Sequence, residues 1–94
     1  MIVRIVKMSF KEDEIVNFLI VFKKQKEFIS SFEGCTHLDL LRDKNNSNIF
    51  FTYSYWKDEK YLAIYKQSDF FKNIWSKVKL MFNEKPMAWS LEKV

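Results

Sequence analysis

At 94 residues, with one Gly, one Pro and one Cys, the chain reads as a single domain spanning 1–94, and this composition excludes linker-rich, turn-rich and disulfide-stapled architectures. Hydrophobic residues make up 48% and aromatics 18%, a heavy apolar load for a chain of a size that buries only about 60–70% of its unfolded surface. Of the sixteen Lys and Arg behind the +4 charge only Arg4 and Arg42 are Arg, the residue suited to bidentate base and phosphate recognition, so the charge reads as solvated helix surface.

Residues 1–8 (MIVRIVKM) are rich in β-branched side chains and predict a first strand. Arg4 and Lys7 interrupt its apolar character, which argues against a signal peptide. The apolar run near residues 15–22 is too short to span a bilayer, so a soluble, cytoplasmic protein is expected. Ser9 and Glu12 match a capping box, and the acidic residues 12–14 suit the first turn of a helix. Ile15, Phe18, Leu19, Phe22 and Ile29 continue at helical spacing, with Lys26 breaking the row. Gly34 is expected to end this helix in the left-handed conformation.

Residues 35–42 (CTHLDLLR) predict a second strand, residues 43–47 a polar turn, and residues 48–56 a third strand paired with the second as an antiparallel hairpin. Asp58 is placed to cap a helix over 58–66, and Ser68-Asp69 to restart one over 69–83. Pro86 stops helix and opens a last strand over 87–93.

The order β-α-β-β-α-β predicts an α+β, ferredoxin-like fold: a four-stranded antiparallel sheet with the helices on one face. Side chains alternate across a strand. Phe51, Tyr53 and Tyr55 therefore oppose Phe50 and Trp56, Val3 and Ile5 oppose Ile2, Val6 and Met8, and Met87, Trp89 and Leu91 oppose Ala88, Ser90 and Glu92. Helices cover one set, and the other predicts an interaction surface. A second subunit could cover it, sheet against sheet, as a dimeric barrel. RNA bases stacked on strand aromatics are the competing cover. That reading needs a Lys/Arg-Gly-aromatic pattern on the third strand. Residues 48–56 contain no Gly, Lys or Arg and MIVRIVKM contains no aromatic, so no nucleic-acid partner is expected, nor a membrane.

Cys35 reads as a buried inert thiol. His37 lies two residues on, and simple alternation puts both on one face. No Cys/His/acid cluster has metal-ligand spacing, so no metal is expected. Arg4, amid an apolar strand, needs a partner if buried; Asp39 is the suggested one.

The strand FFTYSYW followed by KDEKYLAIYKQSDFFKNIW, with Gly34-Cys35 through Arg42-Asp43, resembles the antibiotic-biosynthesis-monooxygenase-type dimeric α+β barrels, over essentially the whole chain. The resemblance implies a homodimer with one ligand cavity per subunit, between sheet and helices. Members of known activity include cofactor-free oxygenases of quinol-like aromatics and haem-degrading enzymes. The haem-degrading branch has an iron-ligating His on its last helix, an upstream Trp and a first-strand Asn. Those positions look like Trp75 and Tyr65 here, with no Asn in the first strand, and an indole cannot ligate iron; no cofactor is expected. In the polyketide-oxidising branch Trp56 is similar to a strand-ending Trp, and Thr52 stands four residues earlier where the branch has Asn.

The expected function is a cofactor-independent monooxygenase acting on a quinol-like or polycyclic aromatic small molecule; the alternative is a non-catalytic homodimeric binding domain of the same fold. Such an oxygenase needs a dry cavity, a proton acceptor and donors that stabilise an anion. His37 and Trp56 are the catalytic candidates, His37 because histidine is the side chain suited to proton transfer near neutral pH. Arg4, Thr52, Tyr53, Tyr65, Phe71 and Trp75 are the candidate pocket residues.

Overall fold

Ile2–Ser9 form β1 in the computed structural model, which describes all 94 residues. Ser9 does not cap a helix. It is buried at the strand end, where Asn48 Nδ2 donates to its hydroxyl at 3.5 Å. Phe10, 0% exposed, carries the extended chain one residue further in a bridge to Phe82. Its ring stacks on Phe18 at 4.1 Å and meets Phe50 edge-on at 5.8 Å. A capping box at Ser9 would need Phe10 to be helical, and burial of this ring overrides that local preference. The chain turns instead through a 3-10 segment, Glu12–Glu14, with no side-chain cap, into α1, Ile15–Ser30.

Ser31 caps the end of α1, its N–H and hydroxyl both donating to the Glu27 carbonyl at 3.0 and 2.6 Å. Gly34 does adopt φ +88°, but three residues past that cap, in the turn that feeds the next strand. A Cβ at Gly34 would overlap the Tyr61 side chain, so both the backbone and its neighbour require glycine.

Cys35–Arg42 (β2) and Ile49–Trp56 (β3) form the expected antiparallel hairpin. Asp43 holds its turn, accepting at Oδ2 from the N–H groups of Asn45 and Asn46 at 3.0 and 2.9 Å and from Asn46 Nδ2 at 3.0 Å. These bonds, that from the Asn45 N–H foremost, lower the Asp43 pKa. The Asp58 carboxylate caps α2, Glu59–Gln67, accepting from the Lys60 N–H at 2.9 Å. Ser68 breaks the helix and caps α3, Asp69–Val78, which runs into a 3-10 turn, Lys79–Met81. Met87–Glu92 form β4 after Pro86.

The strands pair antiparallel in the order β2-β3-β1-β4, which is the ferredoxin-like α+β fold with its second helix split in two. Met8 and Phe50 from the sheet pack with Phe18 of α1 and Val78 of α3, so the helices all lie on one face. The opposite face carries Leu41, Trp89 and Leu91, all exposed. No helix is long and apolar enough to cross a membrane.

Candidate functional site

A cavity of about 300 Å³ lies between the sheet and the helices. Alternate residues of two central strands make its floor: Arg4, Val6 and Met8 from β1, and Thr52, Ser54 and Trp56 from β3. Phe18 and Phe22 of α1, Leu62 and Tyr65 of α2, and Phe71, Ile74 and Trp75 of α3 make the roof. Exposed Lys66, Met87 and Ala88 form a rim towards β4. Fifteen of the twenty lining residues are hydrophobic, which suits a ligand with a mostly apolar body.

The roof and part of the floor form one continuous aromatic wall. Trp56 stacks on Tyr65 at 5.0 Å, Tyr65 meets Phe71 at 5.0 Å, and Phe71 stacks on Trp75 at 5.8 Å. Trp75 in turn contacts Phe82 at 5.6 Å, which ties the wall to the core through Phe10. The helix break sets this geometry. Ser68 Oγ donates to the Tyr65 carbonyl at 2.6 Å and accepts from the Phe71 N–H at 3.1 Å. The Ser68 N–H also donates to the Tyr65 carbonyl, at 3.1 Å, so this one residue joins the end of α2 to the start of α3, and with them two neighbouring rings of the wall.

Trp56 is 1% exposed and its indole N–H donates to Ser54 Oγ at 3.1 Å. Its one donor is thus committed, and it stands as a fixed wall. Tyr65 is different. Burial, and then the nearby Cys35 thiol should it ionise, push its hydroxyl well above the ordinary tyrosine range. It stays a neutral hydrogen-bond donor at any physiological pH. No hydrogen bond within the chain engages the Thr52 or Tyr65 hydroxyl. Every fully buried polar side-chain atom does have a partner, so these two open onto the cavity or solvent.

Arg4 is half-buried, and Nη1 donates to Ser90 Oγ of β4 at 2.9 Å. Burial lowers its pKa from the usual guanidinium value. Asp39, suggested as its partner, is not. Arg4 lies in register with Ser54 and Ser90 on the helix side, whereas Asp39 lies opposite Tyr53 on the other side. Asp39 Oδ2 is instead 2.7 Å from His37 Nε2.

Of the residues singled out from sequence, Arg4, Thr52, Trp56, Tyr65, Phe71 and Trp75 line the cavity, and His37 and Tyr53 do not. Tyr53 is one residue out of phase with Thr52 and Ser54, so it projects from the uncovered face. His37 pairs with Tyr55 and projects there too; its ring lies 5.0 Å from that of Tyr55. A proton acceptor at His37 for a ligand in this cavity is thereby corrected, because the sheet separates the two. The Cys35–His37 pairing is corrected as well. The register shifts between them, Cys35 lies opposite Trp56, and the two side chains face opposite sides. Burial raises the Cys35 pKa, as befits an inert thiol. No group of three or more His, Cys, Asp or Glu residues is placed to hold a metal ion.

Sequence reasoning missed Ser54 and Lys66. Ser54 was within reach, since it falls between Thr52 and Trp56 in the same alternation. Nothing in the sequence marks Lys66 as a rim residue.

The family model for antibiotic biosynthesis monooxygenases matches residues 1–76. The chain belongs to this family. Among solved structures, it is similar to an antibiotic biosynthesis monooxygenase at 18% identity, TM-score 0.93, with 100% of this chain and 99% of that one covered. A conserved protein from Methanosarcina mazei Go1 matches at 24% identity and TM-score 0.93, covering 100% and 94% of the two chains. A proposed antibiotic biosynthesis monooxygenase from Nitrosomonas europaea matches at 21% identity and TM-score 0.92, covering 100% and 99%. At these identities the structures speak for the fold. They extend it through β4, beyond the part of this family member that the family model matches. No protein of curated function matches the chain.

Proposed function

We propose that this family member is a cofactor-independent monooxygenase that oxidises a quinol-like or polycyclic aromatic molecule held in the cavity, and that it works as a homodimer. The observation that carries the reading is the meeting of the Arg4 guanidinium with the free Thr52 and Tyr65 hydroxyls in one aromatic-walled space. A planar ring fits between such walls by stacking, and the walls keep water from it. The substrate itself supplies the electrons: once deprotonated, an electron-rich ring reduces O₂, one oxygen atom entering the product and the other leaving as water. A cation beside a phenolic oxygen favours its ionised form, and hydroxyl donors stabilise the resulting anion. Arg4, Thr52 and Tyr65 fill those roles, and Trp56, Phe71 and Trp75 hold the ring.

The homodimer is supported by the family and by the uncovered sheet face, where Leu41, Trp89 and Leu91 are exposed. One observation favours the non-catalytic binding domain as a second reading: no His, Asp or Glu lines the cavity, so a substrate proton must leave to water at the rim. Oxygen uptake with a panel of hydroquinones and anthrone-type substrates separates the two. The oxygenase reading expects uptake well above the buffer rate, cut at least tenfold by Trp75→Ala. Uptake at the buffer rate for every substrate, with ligand binding intact, would leave the binding domain.

A further inference from the structure

Arg4 is a cation facing a cavity that no anionic side chain lines. A guanidinium carries five N–H donors and no acceptor, and a single hydrogen bond, to Ser90, is the one it makes within the chain. The chain's one close contact between a carboxylate and a basic side chain, His37–Asp39, lies on the opposite face of the sheet. Glu92, further along β4 on the same face as Arg4 and opposite Ile2, makes no ion pair with it. The other charged residue on the cavity is Lys66, also a cation, at the rim. No carboxylate lines the space. A charge drawn partly out of water without a counter-charge is costly, and an incoming anion offsets that cost.

We infer that the ligand of this cavity is an anion with an aromatic body. A carboxylate, or an ionised acidic phenol or enol, docks on the free N–H groups of Arg4 while the rings lie against Trp56, Tyr65, Phe71 and Trp75. Carboxylates meet the planar guanidinium fork through two parallel hydrogen bonds. Lys66 at the rim attracts the same charge during entry. The inference rests on the pocket reading and adds the charge of the ligand to it.

Two fluorescent probes with the same ring systems test it: 1-anilinonaphthalene-8-sulfonate, an anion, and N-phenyl-1-naphthylamine, its neutral counterpart. Each is titrated into the full chain at low salt. The expected result is that the anion binds at least about tenfold more tightly, the scale of a hydrogen bond to a charged group. That advantage shrinks as salt is raised. It persists in Arg4→Lys and falls to about twofold or less in Arg4→Met. The salt series and Arg4→Lys carry the test if Arg4→Met does not fold. Equal affinities in the unmodified protein overturn the inference and leave the pocket standing. An anion preference undiminished in folded Arg4→Met also overturns it, since the charge that matters would then lie elsewhere. Failure of both probes to bind removes the inference and the pocket reading together.

Discussion

The Tyr53 and Tyr55 hydroxyls meet at 2.7 Å on the face of the sheet that no helix covers. They are two residues apart on β3, and the His37 ring lies 6.0 Å from one and 5.0 Å from the other, with Asp39 bound to its Nε2. The polar atoms of this strip thus satisfy one another, while Leu41, Trp89 and Leu91 around it remain exposed. A surface with paired polar groups and unpaired apolar ones suits a second copy of the same chain. Sedimentation equilibrium is expected to give twice the 11.5 kDa chain mass. Trp89→Lys, at a residue 39% exposed in the single chain, is expected to weaken the dimer by about 2 kcal/mol or more. A folded 11.5 kDa species at high concentration would remove the homodimer.

Gly34→Ala is expected to destabilise the chain by about 2 kcal/mol or more. A left-handed backbone costs a non-glycine residue about 1–2 kcal/mol, and the added methyl meets the Tyr61 ring besides. Urea denaturation of Gly34→Ala, Tyr61→Gly and the double variant divides the two causes, since the overlap includes the Tyr61 Cβ. The overlap disappears in the double variant and the backbone strain stays, so the costs should be less than additive. Full additivity would mean that Tyr61 plays no part.

The parts of this fold that were legible in the sequence are those fixed by local chemistry. Asp58 and Ser68 cap their helices with short side chains, Pro86 immediately precedes the last strand, and the polar run after Arg42 turns the hairpin; each signal acts within a few residues, whereas α3 ends at Val78, short of the expected 83, before Phe82 extends to meet Phe10. What was not legible depends on distant partners. Ser9 has the residues of a capping box, but Phe10 is claimed by Phe18, Phe50 and Phe82. The register shift in β2 leaves no mark in CTHLDLLR, so alternation alone placed Cys35 and His37 on one face. The placement of Tyr53 follows from strand alternation. Tyr53 stands three residues from Trp56 on one strand, so the two face opposite sides, and only interest in its hydroxyl put both in one pocket. Thr52 and Trp56, marked by the family resemblance, stand four residues apart on one strand and so share the cavity floor. His37 and Tyr53 were chosen by chemistry and lie across the sheet.

Ser68→Ala removes both hydrogen bonds of the Ser68 hydroxyl and leaves the backbone bond from the Ser68 N–H to the Tyr65 carbonyl. Loss of an N-terminal cap costs about 1 kcal/mol, which urea denaturation can resolve. The larger expectation concerns the cavity. With Ser68 Oγ gone, the Tyr65 carbonyl keeps only the Ser68 N–H, the Phe71 N–H loses its acceptor, and two adjacent rings of the wall lose their shared side-chain anchor. Ligand affinity should fall by more than the same loss of stability produces elsewhere; Phe28→Ala, at an exposed residue outside the cavity, is the comparison. Ser68→Thr keeps the hydroxyl and should restore most of both. Equal affinity in Ser68→Ala and the unmodified protein would mean that packing and the backbone bonds hold the wall without the hydroxyl.

Tyr65 makes stability depend on alkaline pH. Its folded pKa is raised above the usual value of about 10. Below pH 10 the folded and unfolded chains both hold the proton, and its contribution is complete. Above pH 10 the unfolded chain releases the proton while the folded chain keeps it, so stability falls, by up to about 1.4 kcal/mol for each pH unit from this one group. Cys35, also raised by burial, adds a smaller loss that begins nearer pH 8.5. Tyr53 shifts in the same direction through its bond to Tyr55 but lies at the surface, where solvent screens it. Urea midpoints measured from pH 8 to pH 11 should therefore decline in two stages. Cys35→Ala should flatten the first, and Tyr65→Phe the second, with Tyr53→Phe changing little. An unchanged slope above pH 10 in Tyr65→Phe would show that this hydroxyl is wet, and the cavity behind it open to bulk water rather than walled by rings.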